Sequence, residues 1–305
     1  MADKKITVVG SFIYDMIFSL GRLPHKGETY MADQVTHASG GKGANQAVQC
    51  AKLGAQTYMV GKLGEDYFGQ FMRGTLRGYG VDTRYVGRTD QVGTGIAAVL
   101  GLPDGSIHAA IVPGSNMALT KEDIDAAADV IWSSDIVIFQ MEIPMPVNEY
   151  AIEMAHDAGA CVILNAAPAA RMKPEVLKMV DYLVVNEVEA GFFSGADIHT
   201  VDDAARHAPK LLLMCGGTLI ITLGRNGSLL CRRDGTFRHF APSGAVKVVE
   251  TTGAGDSYIG AFAVKKLADC SDEDACAFAT LVAERTISAP GAQPSMPTLR
   301  EMEKG

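Results

Sequence analysis

The sequence predicts an α/β fold, with a doubly wound, mostly parallel β-sheet flanked by helices and a small separate β-sheet. Short apolar runs alternate with longer segments of helical period, which indicates strands of a buried parallel sheet joined by helices. Two regions, residues 12 to 39 and 93 to 113, break this order with strand-like runs and turn residues, and are predicted to form the small sheet. The whole chain, 1 to 305, is expected to be one domain.

Six apolar runs are the predicted strands of the main sheet. They are Ile6 to Gly10, Thr57 to Gly64, Asp135 to Met141, Cys161 to Asn165, Tyr182 to Glu187 and Leu219 to Gly224. The helix candidates between them are NQAVQCAKLG, KEDIDAAADVIW, MPVNEYAIEMAHDAG and VDDAARHAPKLL. In open sheets of this kind, ligands are expected at the carboxyl ends of the strands.

Two hairpins are predicted from Asp-Gly turn signals. LPDGSIHAAIV turns at Asp104-Gly105 within the small sheet, and SLLCRRDGTFRHFAP turns at Asp234-Gly235. The second hairpin is expected to end the main sheet. Neither an internal repeat nor a low-complexity tract interrupts this organisation.

Composition narrows the class of protein. The 305 residues are 48% hydrophobic with a formal net charge of -8, which disfavours nucleic acid or an anionic membrane as the main partner. Six cysteines without a C-x-x-C pair fit reduced thiols. Because the N-terminus has no signal-peptide core and no segment reaches ~18 uninterrupted apolar residues, a soluble, cytoplasmic protein is expected.

The stretch Gly253-Ala254-Gly255-Asp256 lies where a loop is predicted to enter a helix. Backbone N–H groups are free at a helix N-terminus, and small side chains let an anion such as phosphate approach them. A carboxylate repels such an anion, so Asp256 makes sense as a general base that accepts a proton from an attacking hydroxyl. The alternative is that Asp256 is only a helix N-cap beside a tight glycine turn.

A second glycine-rich stretch, ASGGKGANQAVQCAKLG, precedes a helix predicted to begin near Ala44. Gly41 lets the backbone approach a ligand, and Lys42 and Asn45 offer donors, although a plain loop with a surface lysine has the same pattern. The spacing is not that of a Walker P-loop. Gly93 to Ala98 matches the letters of a dinucleotide fingerprint, but a strand and turn are predicted to follow it, which argues against a Rossmann cofactor.

Three further carboxylates are expected near the ends of strands. Asp15 follows the first strand, Glu142 follows DIVIFQ, and Glu189 follows YLVV, one turn after Asn186. Since that edge binds ligands in open α/β sheets, these acids are better candidates for function than acids on helix faces. Each is also compatible with a role as a helix cap.

Eight motifs together resemble one known family. In chain order they are GSFIYD, GGKGANQA, QME, LNAAPA, NEVE, ITLGRNG, TTGAGD and GAQPS. Their order and spacing are similar to those of the ribokinase-like (PfkB) carbohydrate kinases, with ribokinase and deoxyribokinase the most similar members. The resemblance spans nearly the whole chain and implies transfer of the γ-phosphoryl group of ATP, with Mg²⁺, to the primary hydroxyl of a pentose such as ribose or 2-deoxyribose.

The resemblance also implies roles for particular residues. Asp256 matches the base, and the amides of Gly253, Ala254 and Gly255 match the anion hole. The residues that match sugar ligands are Asp15, Gly41, Lys42, Asn45 and Glu142. Asn186 and Glu189 match the magnesium and phosphate motif, and Thr222, Gly224 and Gly227 match the nucleotide loop. Residues 12 to 39 and 93 to 113 would form a lid, through which a homodimer is expected.

A monovalent cation, usually K⁺, is used by many members of this family. The matching segments here contain Glu250, Thr252, Gly291 and Ser295. Because Glu250 stands where ribokinases commonly have Asp, its longer side chain would either still ligate the ion or displace it. Activation by K⁺ is therefore an expectation that needs a test.

One position departs from the ribokinase pattern and bears on the substrate. Ile13 stands where ribokinases have an Asn that contacts the sugar. An aliphatic side chain cannot pair with a hydroxyl, which costs about 1 to 3 kcal/mol. Either ribose is bound with help from another group, or the substrate lacks the hydroxyl or carries an apolar group there; the hypothesis is that 2-deoxyribose or another modified pentose is used at least as well as ribose. The alternatives are a nucleoside, whose base would pack against Phe12, Ile13 and Tyr14, and a non-catalytic sugar- or nucleotide-binding regulator.

Overall fold

A computed structural model describes residues 4–103 and 106–304 and contains two β-sheets. The strands of the nine-stranded main sheet are β1 (Lys5–Val9), β4 (Gln56–Gly64), β5 (Val86–Thr89), β8 (Ile136–Gln140), β9 (Cys161–Asn165), β10 (Tyr182–Val185), β11 (Thr218–Thr222), β12 (Ser228–Cys231) and β13 (Phe237–Phe240). The strands of the four-stranded small sheet are β2 (Ile13–Ser19), β3 (Gln34–Gly40), β6 (Ile96–Gly101) and β7 (Ile107–Val112).

The helices lie between the strands and after the last one. They are α1 (Lys42–Lys52), α2 (Tyr67–Gly78), α3 (Lys121–Asp125), α4 (Ala128–Trp132), α5 (Met145–Asp157), α6 (Pro174–Leu177), α7 (Glu187–Ser194), α8 (Val201–Leu212), α9 (Ala254–Leu267), α10 (Asp272–Thr286) and α11 (Leu299–Glu303). Two short 3₁₀ turns span Gly114–Ala118 and Gly224–Asn226.

The main sheet has the order β13-β12-β11-β10-β9-β8-β1-β4-β5. All neighbouring pairs from β11 to β5 are parallel, and the hairpin of β12 and β13 adds two antiparallel strands at one edge. The predicted fold class, all six predicted strands and the terminal hairpin are confirmed. Strand β5, which has only four residues and no long apolar run, was not predicted.

Helices cover both faces of the main sheet, as in a doubly wound fold. On β8, Val137 and Phe139 point into one core, which α5 and α8 also line, whereas Ile136 and Ile138 point into the other, with α1, α9 and α10. This alternation on a fully buried strand places apolar side chains on both faces, which explains the continuous apolar runs in the sequence.

The small sheet has the order β3-β2-β6-β7 and uses both of the regions that break the βα rhythm. Strands β6 and β7 pair antiparallel, as expected for a hairpin, although the predicted turn residues Asp104 and Gly105 lie outside the described residues. Asp15 lies inside β2, opposite Ala38, and not at the end of β1 as predicted. The first strand ends earlier, at Val9, and the chain then enters the small sheet.

One predicted helix is interrupted. The segment KEDIDAAADVIW forms α3 and α4 with a turn between them. The break occurs where the Ala127 N–H donates to Ile124 O, three residues back, instead of continuing the four-residue spacing. The chain thereby changes direction before it enters β8.

Candidate active site

Asp256 lies in the first turn of α9, as the glycine-rich stretch predicted. The cap of this helix is Gly253, with φ of 81°, and it offers no side-chain hydrogen bond. The Asp256 carboxylate points away from its own helix and accepts hydrogen bonds from Asn45 Nδ2 at 2.8 Å and from Gln46 Nε2 at 3.0 Å. The alternative that Asp256 is only a helix cap is therefore wrong.

Some of the backbone N–H groups at the start of α9 are free to bind an anion. The Ala254 N–H donates to Thr251 O at 3.2 Å, whereas the amides of Gly253 and Gly255 have no acceptor within the described residues. Gly255 is exposed. Two of the three amides predicted for the anion hole are thus free in this conformation, and the helix dipole adds positive potential there.

The electrostatic environment of Asp256 combines opposing effects. Burial raises the pKa of its carboxyl, while the Lys42 ammonium and the amides of Asn45 and Gln46 favour the ionised form, and the Glu142 carboxylate opposes it. The pKa remains above its ordinary value. A raised pKa makes a carboxylate a stronger base, which suits proton abstraction.

Helix α1 brings the second glycine-rich stretch to the same place. It begins at Lys42, two residues earlier than predicted, because Gly41 adopts φ of 88° and caps it. A Cβ on Gly41 would lie 2.7 Å from Ile13 N, and a Cβ on Gly43 would lie 2.5 Å from Ser11 N. Glycine is required at both positions because two backbone segments meet there.

Lys42 is half-buried and surrounded by carboxylates. Burial would lower the pKa of its ammonium, but the charges of Asp256, Glu142 and Glu189 outweigh burial and raise it. The backbone N–H of Lys42 also donates a hydrogen bond to Glu142 Oε2 at 3.1 Å. Lys42 is therefore a charged group within the site, and the surface-lysine alternative is wrong.

Asp15 and Glu142 form an acidic pair near Lys42. Burial and the negative charge of Glu142 raise the pKa of Asp15 to about 7. Glu142 accepts a hydrogen bond from the Ser11 hydroxyl, which holds the carboxylate next to the α1 turn. Side chains of this kind can accept hydrogen bonds from several hydroxyl groups of a polar ligand such as a sugar.

Ile13 lies beside these groups at the start of β2. It pairs with Gly40 and is 6% exposed. Phe12 and Tyr14 are 0% and 1% exposed and belong to the core. These two aromatic rings are unavailable to a ligand, so the interpretation that they pack against a base is wrong.

Asn186 and Glu189 form a capping box at the start of α7. The Asn186 side chain accepts from the Val188 and Glu189 N–H groups, and Glu189 Oε2 accepts from the Asn186 N–H at 3.0 Å. Burial raises the pKa of Glu189, while Lys42 opposes that effect. The cap role is therefore real, and Glu189 is also electrostatically coupled to the site.

Thr222, Gly224 and Gly227 follow one another at the end of β11. The Thr222 hydroxyl donates to Val185 O at 3.4 Å. Gly224 and Gly227 have φ of 49° and 81°, which only glycine adopts readily, and the Leu223 N–H closes the turn on Gly227 O at 2.7 Å. The resulting tight loop lies at the carboxyl edge of the main sheet.

The segments predicted to hold a monovalent cation are partly assembled. Glu250 Oε2 accepts from the Gly291 N–H at 2.8 Å, and the Ser295 hydroxyl donates to Gly291 O at 2.5 Å. Thr252 is exposed and lies outside these bonds. A carboxylate, a carbonyl and a hydroxyl are oxygen donors that suit a hard cation. The larger Glu250 side chain therefore still reaches the Gly291 segment.

The sequence did not predict several buried amide side chains around Asp256. Gln46, Gln140 and Gln293 are at most 1% exposed. Gln293 Nε2 donates to Asn45 Oδ1 at 3.0 Å, and Gln140 Nε2 donates to Gln46 Oε1 at 2.7 Å. One signal was available for Gln140, which is a polar residue in the otherwise apolar strand IVIFQ.

Among the described residues, no helix is both long and apolar enough to cross a bilayer. The pfkB family carbohydrate kinase model matches residues 3–299. A ribokinase from Staphylococcus aureus is 33% identical over 98% of this chain and 99% of its own. A deoxyribokinase from Salmonella typhi is 32% identical over 98% and 97%, respectively.

A solved structure of Arabidopsis thaliana ribokinase complexed with ribose and ATP is similar over the whole fold. The TM-score is 0.93 and the identity 34%, covering 99% of this chain and 98% of that chain. The predicted resemblance is confirmed. The chain belongs to the pfkB family of carbohydrate kinases.

Proposed function

We propose that the protein is an ATP-dependent kinase that phosphorylates the primary hydroxyl of a pentose, either ribose, 2-deoxyribose or a similar sugar. The observation that carries this proposal is Asp256, buried beside free amides at the start of α9 and facing Asn45 and Lys42. The family and the ribokinase and deoxyribokinase relatives support the same reaction.

In this reaction Asp256 is the general base. As the sugar oxygen bonds to the γ-phosphorus, its proton moves to the Asp256 carboxylate and the bond from phosphorus to the bridging oxygen breaks, which releases ADP. The amides of Gly253, Ala254 and Gly255 would surround the transferring group, with Ala254 giving up its bond to Thr251. Lys42 adds a positive charge to the same region.

The sugar would lie between α1 and the small sheet. Asp15, Glu142 and Asn45 supply hydroxyl ligands, and the backbone at Gly41 allows a close approach. Ile13 offers no hydrogen bond at its edge of this site. We therefore propose that 2-deoxyribose, or another pentose modified at that position, is used at least as well as ribose.

The nucleotide loop and metal ions would complete the part of the site that binds the phosphates of ATP. Thr222, Gly224 and Gly227 are proposed to contact ATP, and Asn186 and Glu189 to hold Mg²⁺ through water, as carboxylates and amides often do. Magnesium would neutralise phosphate charge during transfer. Glu250, Thr252, Gly291 and Ser295 are proposed to supply oxygen donors to K⁺, and the bonds of Glu250 and Ser295 to the Gly291 backbone support this.

The small sheet is proposed to be a lid that closes over the sugar and excludes water from ATP. Its β7 strand exposes apolar side chains, including Ile111 at 59% and Val112 at 57%. That surface supports a homodimer through the lid. A cytoplasmic location is proposed from six free cysteines in the described chain.

The proposal is tested by ADP release from ATP and Mg²⁺ with ribose, 2-deoxyribose, several hexoses and several nucleosides. A pentose is expected to give the highest kcat/KM, with 2-deoxyribose equal to ribose or better. Turnover confined to nucleosides would replace the pentose assignment. Absence of turnover with every acceptor, together with measurable ATP binding, would favour a non-catalytic binder.

A further inference from the structure

The Asp256 carboxylate receives one amide hydrogen bond on each oxygen. Asn45 donates to Oδ2 and its neighbour Gln46 donates to Oδ1. Asn45 is 6% exposed and is proposed above to bind the sugar, whereas Gln46 is completely buried. Gln46 therefore contacts Asp256 from the buried interior and cannot itself contact a substrate.

Every polar atom of the Gln46 amide is engaged. Nε2 donates to Asn165 Oδ1 at 3.2 Å as well as to Asp256, and Oε1 accepts from Gln140 Nε2 at 2.7 Å. If the amide turned over, its oxygen would face the Asp256 carboxylate and its nitrogen would face the Gln140 N–H. The contact with the carboxylate would be repulsive, so only one orientation of Gln46 is compatible with an ionised Asp256.

Gln140 donates to Gln46 but leaves its own side-chain oxygen unpaired. Its own Oε1 is buried and has no hydrogen-bond partner within the described residues. A Cβ on Gly10 would lie 3.0 Å from Gln140 Cδ and still closer to that oxygen, so the glycine that follows β1 makes room for Gln140. An unpaired buried acceptor destabilises the fold, and Gln140 has this unfavourable group while its Nε2 donates to Gln46.

We propose that Gln46, held by Gln140 and Asn165, is a positioning residue that keeps the Asp256 carboxylate ionised and directed at the acceptor hydroxyl. This inference rests on the proposed function, because it requires Asp256 to be the base. It gives a common role to the three buried amides of Gln46, Gln140 and Asn165, which converge behind Asp256.

The charged groups that face Asp256 determine the sign of the expected pH effect. Lys42 from α1 favours the ionised form, whereas Glu142 from the loop after β8 opposes it. The neutral donors Asn45 and Gln46 add to the effect of Lys42. Burial and the Glu142 charge raise the pKa of Asp256, and the Gln46 donor is one of the groups that lower it. Removing this donor should therefore raise the pKa of Asp256 further.

The test compares Gln46→Met with Gln49→Met, because methionine has similar length and no strong hydrogen-bonding group. Gln49 lies on the same helix and is equally buried, but it donates to Pro297 O and does not contact Asp256. Relative to Gln49→Met, kcat of Gln46→Met is expected to fall about 10- to 100-fold. The sugar KM should change less than about threefold, and the acid limb of the kcat–pH profile should move to higher pH.

Equal kcat values and superimposable acid limbs for the two variants would overturn the inference. If Gln46→Met does not fold, as judged by its thermal melt, Gln140→Met supplies the test. That variant keeps the Gln46 donor but removes its support, so a smaller loss in kcat and the same direction of pH shift are expected. An unshifted limb in Gln140→Met would then reject the inference.

Asp256→Asn separates this inference from the proposed function. An Asp256→Asn protein that retains wild-type turnover would reject the base itself. An inactive Asp256→Asn protein, combined with indistinguishable Gln46→Met and Gln49→Met proteins, would reject only the role of Gln46.

Discussion

Replacing Asp15 with asparagine is expected to stabilise the ligand-free protein in a pH-dependent way. The folded protein raises the pKa of Asp15 from 3.8 to about 7, chiefly by burial and also by the charge of Glu142. An acid with a raised pKa gives full stability below its unfolded pKa, and that stability is lost as pH rises through the folded pKa. The wild-type protein should therefore lose stability between about pH 4 and pH 7.

The magnitude follows from the two pKa values. Their difference is about three pH units, and at ~1.4 kcal/mol per unit the total cost of ionising Asp15 is about 4 kcal/mol. Asparagine keeps the shape and carries no charge. The difference in free energy of unfolding between Asp15→Asn and wild type should grow by about 2 kcal/mol from about pH 5.5 to about pH 7, then level off.

Urea unfolding at several pH values measures this difference. Asp33→Asn is the control, because Asp33 lies just before β3 and is exposed, so its effect should be small at every pH. A constant difference between Asp15→Asn and wild type across the range would refute a raised pKa for Asp15.

Three further predictions concern the substrate, the cation and the backbone. Ile13→Asn should raise kcat/KM for ribose relative to 2-deoxyribose by about tenfold, through a restored hydrogen bond, and an unchanged ratio would remove Ile13 as the cause of the preference. K⁺ should raise turnover above a Na⁺ control, and Glu250→Gln should weaken this response; equal rates in the two salts would exclude the cation site. Gly41→Ala should destabilise the protein by more than about 1 kcal/mol, because of its positive φ and the contact with Ile13 N; an unchanged urea midpoint would contradict this.

Local patterns in the sequence predicted the main sheet well. Cys161–Asn165 was predicted with its observed bounds because a short apolar run between turn residues has few other interpretations. Asp15 was misplaced, since the sequence does not show where β1 ends and β2 begins. The break between α3 and α4 was also missed, because an alanine-rich stretch keeps its helical pattern through the turn.

The sequence indicated the residues of the candidate site that lie in local clusters of glycines and acids. It did not indicate the contacts between segments that are far apart in sequence. The stretch around Asp256 indicated a helix N-terminus and an anion site from local residues alone. Gln46, Gln140 and Gln293 come together only in the folded protein, through contacts between residues 94 to 248 positions apart in sequence. Gln46 lies among other polar residues of α1, so the sequence does not show that it is buried, and its contact with Asp256 needed the structure.

The role of Asp256 as the general base is tested most directly by the rate of phosphoryl transfer in Asp256→Asn, measured in a single turnover with saturating pentose, ATP and Mg²⁺. Calorimetry on the same sample measures whether the pentose and ATP still bind. We expect near-normal binding and a rate reduced about 10²- to 10⁴-fold, because asparagine cannot accept the proton. Near-normal binding with a rate within about tenfold of wild type would show that Asp256 is not the base.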